Sequence, residues 1–413
     1  MKKEMYMARR LRLSSDGTSS TSTILNIALA GMTIAVVIMF LSIAIVTGFR
    51  SEITSKIYSL GPHVKVSLQP DYTTHRPRPI DFNSYSAIIG AGNEVLCVEP
   101  IIEKEALIKT DNDYKGIGIR GLSASADTSF MAQHLIEGHM PSLSDSITTE
   151  IAISRHVAAQ LQLGIGDRVF AYFIDDNVKV RRLTVSGIFN TDFDDFDNAT
   201  AIGNIAMLRQ VNGWADSECS YIAATLIHPE NSTPTAYDIY SQLVHQGIAD
   251  KSSDTFQVAD IYNENITYFA WLDLLDANIV IILILMAFVA GFTIVAGMLI
   301  IILDKISTIG ILKTLGVGNS SVRITFIFLA EKLIVRALII GNAISIALAL
   351  LQKHFHIVHL DPESYYMSFV PIELNWWYIS ALNLGVIVFA MLALVIPSYI
   401  ISRLEPSQSM RYE

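Results

Sequence analysis

The sequence predicts an α-helical membrane domain of four transmembrane helices plus an α+β extracytoplasmic domain inserted between helices one and two. Two observations predict this fold class: the composition is 51% hydrophobic and only 16% charged, and the apolar residues are concentrated in four long blocks. Soluble domains carry about 25% charged residues. The sparse charge excludes a disordered or nucleic-acid-binding chain, and the presence of only two cysteines excludes a disulfide scaffold.

Each apolar block is long enough to cross a bilayer. We predict transmembrane helices at 24–47, 277–303, 324–351 and 376–401. About 20 residues, at a rise of 1.5 Å per residue, span a hydrocarbon core of about 30 Å. The first block is too long for the apolar core of a cleaved signal peptide, so we expect it to stay in the mature protein.

Basic residues predict the orientation of these helices. The leader 1–23 carries five Lys/Arg against two acidic residues, and the link 304–323 carries three against Asp304 alone. Short segments with an excess of Lys and Arg remain in the cytoplasm. We therefore predict that the amphipathic leader, the link and the tail 402–413 are cytoplasmic, with 48–276 and the loop 352–375 periplasmic.

The segment 48–276 has the pattern of a separate α+β domain. Alternating runs such as 178–186 predict strands, whereas 154–161 and 234–245 predict helices. Residues 51–276 hold 15 Lys/Arg and 30 Asp/Glu, a net charge of −15, and the rest of the chain holds +5, so the negative charge of the protein arises in this domain. We interpret its acidity as the solvation of a soluble domain rather than as a cation site.

Two clusters of polar side chains are candidates for metal sites. They consist of four aspartates, Asp192, Asp194, Asp195 and Asp197, and three histidines, His354, His356 and His359. The aspartates lack the glycine and the glutamate of a calcium loop, and the histidine spacing fits no zinc motif. A solvated acidic loop and interfacial histidines are the favoured interpretations, so no metal site is predicted.

Catalytic motifs are absent from the sequence. It contains no phosphate-binding loop of the G-x-x-x-x-G-K-[ST] type, no G-x-S-x-G elbow and no H-E-x-x-H helix. The chain is therefore predicted to be neither an enzyme nor a cofactor-binding protein. Cys97 and Cys219 both fall in the outer domain, where they either pair or remain as two buried thiols.

Three charged residues interrupt the third transmembrane block: Glu331, Lys332 and Arg336. A charge at the centre of a membrane helix costs about 2.5–3.5 kcal/mol, so three lipid-facing charges would cancel the insertion energy of the block. The charges must pair, lie near an interface or face protein. A structural pairing and a role in transport both remain open.

The link between the second and third blocks predicts a short amphipathic helix. Its apolar positions include Ile306, Ile309, Leu312 and Leu315, and Gly316 ends it. Such a helix is either a simple turn or a knob that fits a groove on a partner protein.

This link resembles the cytoplasmic coupling segment of FtsX-like ABC-transporter permeases, [DE]-K-x-x-x-I-[GA]-[IV]-L-[KR]-[TA]-[LI]-G. The residues that match, and that we expect to couple to an ATPase, are Asp304, Lys305, Ile309, Gly310, Leu312, Lys313, Leu315 and Gly316. The resemblance implies that ATP-driven closure of a partner pushes on Ile309, Leu312 and Leu315. Helices two and three would relay this movement.

Further motifs extend the resemblance over nearly the whole chain. They are Thr47-Gly-Phe49 after the first block, Gly61-Pro62-His63-Val64 at the start of the outer domain, Glu150–Ser154 and the following turn to Asp167, 186–189 with Phe196-Asp197, 365–371, and 404–412 in the tail. Within the superfamily, these signatures resemble the lipoprotein-releasing permeases of the LolC/LolE type.

The resemblance implies a permease subunit that extracts lipoproteins from the outer leaflet of the inner membrane for transfer to a periplasmic carrier. It implies a second permease copy or homologous permease, and a cytoplasmic ABC ATPase dimer that binds ATP and Mg²⁺. Lipoproteins would gain access between the first and second spans. The candidate substrate-cavity residues are Met39, Ile43, Val46, Phe49, Met286 and Phe292, each of which could equally be ordinary helix packing.

The sequence departs from the resemblance in two places. Some family members carry a long loop that receives the carrier, but here about six residues, 175–180, connect the strands. Arg336 stands where the family usually has a small or apolar residue, so the resemblance implies no role for it. The alternatives are a MacB- or FtsX-like permease that drives an efflux duct or a wall hydrolase, and a membrane-anchored enzyme or receptor, which the absent catalytic motifs disfavour.

Overall fold

The structure is a computed structural model that describes residues 20–70, 77–110, 113–175, 177–249, 255–395 and 397. The chain divides into two compact units. Unit one comprises Met1–Ser51, Trp271–Val358 and Val370–Glu413, and unit two comprises Glu52–Ala270 and His359–Phe369. The predicted tail and leader residues 1–19 lie outside the described residues.

The helices and strands alternate in the middle of the chain, whereas the longest helices lie towards its ends. The helices are α1 Ser20–Leu60, α2 Phe82–Gly90, α3 Ser129–Gln133, α4 Arg155–Leu161, α5 Asp194–Ala199, α6 Ile205–Asn212, α7 Ser232–Ala249, α8 Ile261–Glu264, α9 Ile266–Asp304, α10 Ile306–Thr314, α11 Asn319–Phe355, α12 Pro362–Tyr365 and α13 Trp376–Ala393. The strands are β1 Val64–Leu68, β2 Ile80–Asp81, β3 Val95–Lys109, β4 Tyr114–Leu122, β5 Leu135–Gly138, β6 Glu150–Ser154, β7 Arg168–Ile174, β8 Val178–Phe189, β9 Thr200–Asn204, β10 Glu218–Cys219, β11 Tyr221–Leu226 and β12 Phe256–Asp260.

Within the described residues, four helices are long and apolar enough to span a membrane: Asn26–Leu60, Ile266–Asp304, Asn319–Phe355 and Trp376–Ala393. Each overlaps one of the four predicted blocks, and the predicted end of the fourth block at 401 lies outside the described residues. The first three helices extend beyond the predicted boundaries, because the thickness of the bilayer sets only the minimum length of a spanning helix.

The core of unit one is formed by α1, α9, α11 and α13. Their buried side chains form one apolar cluster, which includes Met32 and Val36 of α1, Ile294 and Met298 of α9, Ile334 and Leu338 of α11, and Val386 and Ala390 of α13. Between helices in a bilayer, such interfaces are stabilised by van der Waals packing rather than by exclusion of water.

Two of the family-like motifs meet in unit one. A Cβ atom added to Gly48 would lie 2.6 Å from the carbonyl oxygen of Pro371, so the backbones approach too closely for any larger residue. Beside this contact, the amide of Glu373 donates a hydrogen bond to the carbonyl of Ala44 at 3.1 Å. The glycine after Thr47 is therefore explained by the close approach of the segment that precedes α13.

A polar pair connects α11 to α13. The side-chain amides of Asn342 and Asn383 exchange hydrogen bonds at 2.7 and 3.2 Å, and each also donates to a carbonyl one turn earlier in its own helix. Hydrogen bonds between membrane helices contribute about 0.6–2 kcal/mol. This pair therefore fixes the register of α11 against α13.

Unit two is built on a twisted sheet whose strand order is β12-β1-β11-β3-β4-β9-β6-β8-β5, with β7 pairing to β3 and β8. The longest ladder is antiparallel and runs from Ile102 opposite Gly121 to Lys109 opposite Tyr114. The parallel pairs β4–β9 and β6–β8 are mixed into this sheet. The predicted α+β class is therefore confirmed.

Helices cover the apolar face of this sheet. The main core contains Ile102, Ile119, Ile153, Val185 and Ile222 from the strands, and helices α4, α6 and α7 contribute further buried side chains. The predicted helices at 154–161 and 234–245 correspond to α4 and α7, and the predicted strand at 178–186 corresponds to β8. The connection from β7 to β8 is even shorter than expected, at residues 175–177.

His63 joins the end of α1 to the sheet. Its Nδ1 accepts a hydrogen bond from the amide of Leu226 at 2.8 Å, and its Nε2 donates to the carbonyl of Tyr58 at 3.2 Å. His63 is 6% exposed, and burial lowers the pKa of its imidazole below the usual value of 6.5. The two bonds fix the neutral tautomer, so the Pro-His motif has a structural role.

Acidification is expected to weaken unit two through His63. The folded imidazole has the lower pKa, so the unfolded chain binds the proton first as the pH falls. The stability that His63 contributes is therefore complete above about pH 6.5 and declines below it, by up to about 1.4 kcal/mol per unit of pKa depression. Urea unfolding of the detergent-solubilised protein at pH 7.5 and 5.5 measures this loss.

The variant His63→Gln supplies the comparison, because other groups in the unit also titrate. We expect the variant to be less stable at pH 7.5 but to lose less stability on acidification. An equal pH dependence in the protein and the variant would show that His63 is not the titrating group.

Candidate functional site

The coupling segment is formed by α10 and the turn that ends it. Gly316 adopts a left-handed backbone with φ of 86°, its amide donates to the carbonyl of Lys313 at 3.1 Å, and the amide of Val317 donates to Leu312 at 3.0 Å. This arrangement satisfies carbonyls that the helix end would leave unpaired. The glycine of the coupling pattern is therefore required by the turn. At the other end of α10, Lys305 lies 3.0 Å from the Asp304 carboxylate.

The two sides of α10 differ in their surroundings. Ile309 is 1% exposed and packs in the cluster that includes Ile302 of α9 and Phe326 of α11, and Gly310 is also buried. In contrast, Ile311 is 57% exposed and Leu315 is 76% exposed. Ile309 therefore anchors α10 to its own chain, and the exposed apolar side is the one available to a partner.

The other predicted coupling residues have mixed environments. Leu312 and Lys313 are half-buried, and Gly316 is exposed beside Leu315. Leu312 and Leu315 lie three residues apart and share a side of the helix. The contact of these residues with an ATPase stays a prediction.

An ion-pair cluster joins one end of the first and second apolar helices. Arg50 of α1 forms a salt bridge with Asp276 of α9, and its guanidinium lies 3.6 Å from Asp273. All three side chains are substantially exposed, so the cluster contributes at most about 1 kcal/mol. We name Arg50, Asp273 and Asp276 the Arg50 clasp, and a contribution this small allows the clasp to open readily.

The six predicted cavity residues have different environments. Met39 is 2% exposed inside the unit-one core, and Phe49 is also buried. Ile43 lines a small cavity between α1 and α13. Of the remaining candidates, Val46 and Met286 are each half-buried, and Phe292 is 76% exposed. A shared lining role stays a prediction, and Phe292 is the most accessible of the six.

Phe292 belongs to an exposed apolar face of α9. Its neighbours on this face include Leu285, Phe288 and Val289, which are all about half exposed. Their spacing of three and four residues places them along one side of the helix. This face offers a surface for acyl chains, either those of the bilayer or those of a lipid-anchored substrate.

Lys56 forms a buried junction within unit two. The side chain is in α1, is 6% exposed, and donates hydrogen bonds to the carbonyls of Thr191 at 2.9 Å and Tyr366 at 3.0 Å. Hydrogen bonds from a charged donor contribute about 1.5–3 kcal/mol each. Lys56 thereby fastens the loop that contains α12 and the segment after β8 to one point on α1. We name Lys56, Thr191 and Tyr366 the lysine junction.

Aromatic rings and carboxylates surround the lysine junction. The ring of Phe193 lies 4.9 Å from that of Tyr268 and 5.1 Å from that of Tyr366, and the Tyr268 hydroxyl donates to Asp195. Asp197 is 2% exposed and accepts hydrogen bonds from the amide and hydroxyl of Thr191.

The interpretation of the aspartate cluster as a solvated loop is wrong for Asp197. Desolvation by burial raises the pKa of its carboxyl to about 6, although the two hydrogen bonds from Thr191 oppose this rise. Asp192 is also engaged, because it accepts from Asn190 and Ser368. Among the described residues, no group of three or more potential ligands is arranged to hold a metal ion.

A second network fixes the end of α1 to the sheet. Arg120 of β4 donates to the carbonyl of Leu60 at 2.5 Å and to the Glu103 carboxylate at 2.8 Å, and the Tyr221 hydroxyl donates to the same carboxylate. Desolvation by burial raises the pKa of the Glu103 carboxyl. Arg120 and Tyr221 stabilise its charge more strongly, so the net effect is a lowered pKa. Nothing in the sequence indicated this network, since its members lie on three different strands.

The three intramembrane charges do not pair with one another. Glu331 is half-buried, whereas Lys332 and Arg336 are exposed on α11. Within the part of the chain that the structure describes, no carboxylate forms an ion pair with either cation. Both cysteines are free thiols; Cys219 is buried, which raises its pKa to about 12, and Cys97 is half-buried.

Two family models match this chain. A MacB-like periplasmic core domain matches residues 26–238, and the C-terminal part of FtsX-like permeases matches residues 280–406. The chain belongs to the FtsX-like permease family. Membership makes it an inner-membrane transporter subunit rather than a catalytic enzyme, and the resemblance first seen in the coupling segment is confirmed.

Similar proteins match this FtsX-like permease over most of its length. The lipoprotein-releasing system transmembrane protein LolC of Xylella fastidiosa is 22% identical over 400 residues, covering 93% of this chain and 92% of the relative. LolC of Neisseria meningitidis is 22% identical over 414 residues, covering 95% of each chain. The extracellular domain of the transporter YknZ is 13% identical with a TM-score of 0.33, covering 48% of this chain and 99% of that domain.

Proposed function

We propose that this permease extracts lipoproteins from the outer leaflet of the inner membrane for transfer towards the outer membrane. The observation that carries the proposal is the correspondence, over more than nine-tenths of both chains, with proteins named as lipoprotein-releasing permeases. The exposed apolar face of α9 supports it, because a lipid-anchored substrate needs an apolar surface within the bilayer.

In this proposal the energy comes from a separate chain. A cytoplasmic ABC ATPase dimer binds ATP and Mg²⁺ and contacts the exposed side of α10. Because two of the four spans separate α10 from each end of the chain, both termini of the permease are then cytoplasmic. Unit two is then periplasmic, with residues 52–270 between the first and second spans and residues 359–369 between the third and fourth. A second permease copy, or a homologous permease, completes the transporter.

The lysine junction and the Arg120 network give the proposal a mechanical basis. Movement of α10 displaces α9 and α11, which pack against Ile309. In unit two, residues 52–60 of α1 are held to the sheet by Arg120 and to the loop at 359–369 by Lys56. A displacement of α1 therefore moves several elements of unit two together.

A MacB-like function, in which the permease drives an efflux duct, is the alternative. It fits less well, because the relatives that match nearly the whole chain are named for lipoprotein release. The short β7–β8 connection leaves no long loop there for a periplasmic carrier, so we propose that a carrier docks elsewhere or on another subunit.

Affinity purification in mild detergent tests the proposed function. We expect the permease to co-purify with an ABC ATPase, with a second permease subunit and with triacylated lipoproteins identified by mass spectrometry. Recovery with an ATPase and an efflux duct, and without lipoprotein, would favour the alternative.

Removing the Arg50 clasp is expected to ease substrate access between α1 and α9. Because the exposed ion pairs are worth at most about 1 kcal/mol, Arg50→Ala should raise the lipoprotein bound to the ATP-free permease by up to about fivefold. Quantitative mass spectrometry of the purified complex measures this amount. Arg168→Ala, which removes an exposed arginine of β7, is the control, and equal lipoprotein in both variants would refute the clasp.

A further inference from the structure

Two cations stand on the outward face of α11. Lys332 and Arg336 are both exposed and lie four residues apart, so they occupy the same side of the helix. The opposite side, which includes Ile334, Ala337 and Gly341, is buried against the other helices of unit one. The cations therefore point away from the helix bundle, among exposed apolar side chains such as Ile339.

Helix geometry gives the distance between this pair and the other end of α11. At the far end of α11, Gln352 bonds to the backbone of Val358 and Val370, and the exposed Lys353 follows it. Lys332 precedes Lys353 by about 31 Å at 1.5 Å per residue, which matches the hydrocarbon thickness of about 30 Å. Arg336 lies about 6 Å further in, a distance that its long side chain spans by snorkelling.

The coupling segment supplies a second, independent indication of depth. Leu329 is on the same side of α11 as Arg336, seven residues earlier, but it is buried in the cluster that contains Ile309 of α10. Lys332 and Arg336 are therefore the first charged side chains on this side beyond the buried Leu329. The exposed surface on this side of α11 begins after Leu329.

We propose that Lys332 and Arg336 bind the phosphate of an anionic phospholipid in the leaflet on the side of the coupling segment. Two like charges one helical turn apart repel each other, and neither has a carboxylate partner among the described residues. A phosphate supplies several acceptor oxygens to both cations, and its acyl chains lie along the apolar side chains that follow on α11.

A second permease copy is a less favourable occupant of this face. The acidic residue that a symmetric copy would offer at the same depth is Glu331, which is half-buried towards its own bundle. Phospholipid phosphates are present at this depth around the whole protein. The assignment rests on the membrane location of α11 and not on lipoprotein release.

Lipid titration followed by native mass spectrometry tests the site. The full chain, purified with its partners and delipidated in detergent, is titrated with phosphatidylglycerol and, separately, with phosphatidylcholine. We expect a preference for phosphatidylglycerol that falls about tenfold in the double variant Lys332→Gln, Arg336→Gln. Lys353→Gln, which removes an exposed charge at the opposite end of the helix, should keep the preference.

A charge-conserving variant separates the loss of charge from damage to helix packing. The double variant Lys332→Arg, Arg336→Lys should retain the preference for phosphatidylglycerol. Unchanged lipid binding in the glutamine variant would overturn the assignment. It would also be overturned if the glutamine variant lost contact between permease copies instead of losing lipid. Displacement of the lipid by millimolar inorganic phosphate would identify a free-anion site and would also overturn it.

Discussion

Leu315→Asp is expected to abolish lipoprotein release while leaving the permease folded and inserted. Leu315 is 76% exposed, so a carboxylate there disturbs nothing within the chain, yet it places a charge on the apolar side offered to the ATPase. Burying an unpaired carboxylate in an interface costs several kcal/mol. We expect permease-stimulated ATP hydrolysis to fall about tenfold or more, as measured in proteoliposomes with the purified ATPase.

The position of the substitution matters for this experiment. Leu312→Asp should uncouple the ATPase as well, but Leu312 is half-buried, so part of its effect would come from weakened packing of α10. Ser320→Asp, which adds the same charge at an exposed polar position in the first turn of α11, is the matched control. Normal coupling in Leu315→Asp, or equal loss in Ser320→Asp, would contradict the assigned contact side.

Lys56→Met is expected to release the loop at 359–369 from α1. The substitution keeps most of the apolar side chain but removes both hydrogen bonds and leaves the carbonyls of Thr191 and Tyr366 without their donor. We expect a loss of about 3 kcal/mol in the stability of unit two, since each charged bond is worth about 1.5–3 kcal/mol and the bonds are not fully additive.

Limited proteolysis and ATPase assays together distinguish the roles of Lys56. The variant should be cleaved faster within 359–369 and should release lipoprotein poorly, while it still binds the ATPase. Lys109→Met, at an exposed position of β3, should behave as the unmodified protein. Unaltered proteolysis in Lys56→Met would show that the lysine junction does not hold the loop.

Composition and periodicity were sufficient to predict the membrane helices, because a 30 Å hydrocarbon core imposes a long apolar run on each of them. They underestimated the lengths of the first three helices. The helix α1 continues to Leu60, and α9 begins at Ile266. These extensions contain polar residues, and the thickness of the bilayer does not determine their length. The boundaries of these helices depend on packing within the folded chain, which periodicity does not report.

The sequence motif of the coupling segment could be recognised, but which of its apolar residues are exposed could not be predicted. Ile309 and Leu315 are both apolar positions of a short helix, and only the packing of α9 and α11 decides that one is buried and the other exposed. The lysine junction left no signal in the sequence. Lys56 is a single lysine in a helix, and the two carbonyls that it binds lie 135 and 310 residues away along the chain.

Asp197 is a case in which composition predicted an exposed side chain and the structure shows a buried one. Four aspartates within six residues favour a solvated loop on composition alone, yet Asp197 turns inward to bind Thr191 while Asp195 binds Tyr268. The sequence therefore predicted the four apolar helices, the α+β domain and the family, whereas the long-range polar contacts that join α1, the sheet and the loop required the structure.

Depletion of the permease followed by fractionation of the cell envelope tests the central claim most directly. We predict that outer-membrane lipoproteins will accumulate in the inner membrane within the period of depletion, and that the unmodified permease, but not Leu315→Asp, will restore their transfer. Normal sorting of lipoproteins to the outer membrane in depleted cells would contradict the proposed function.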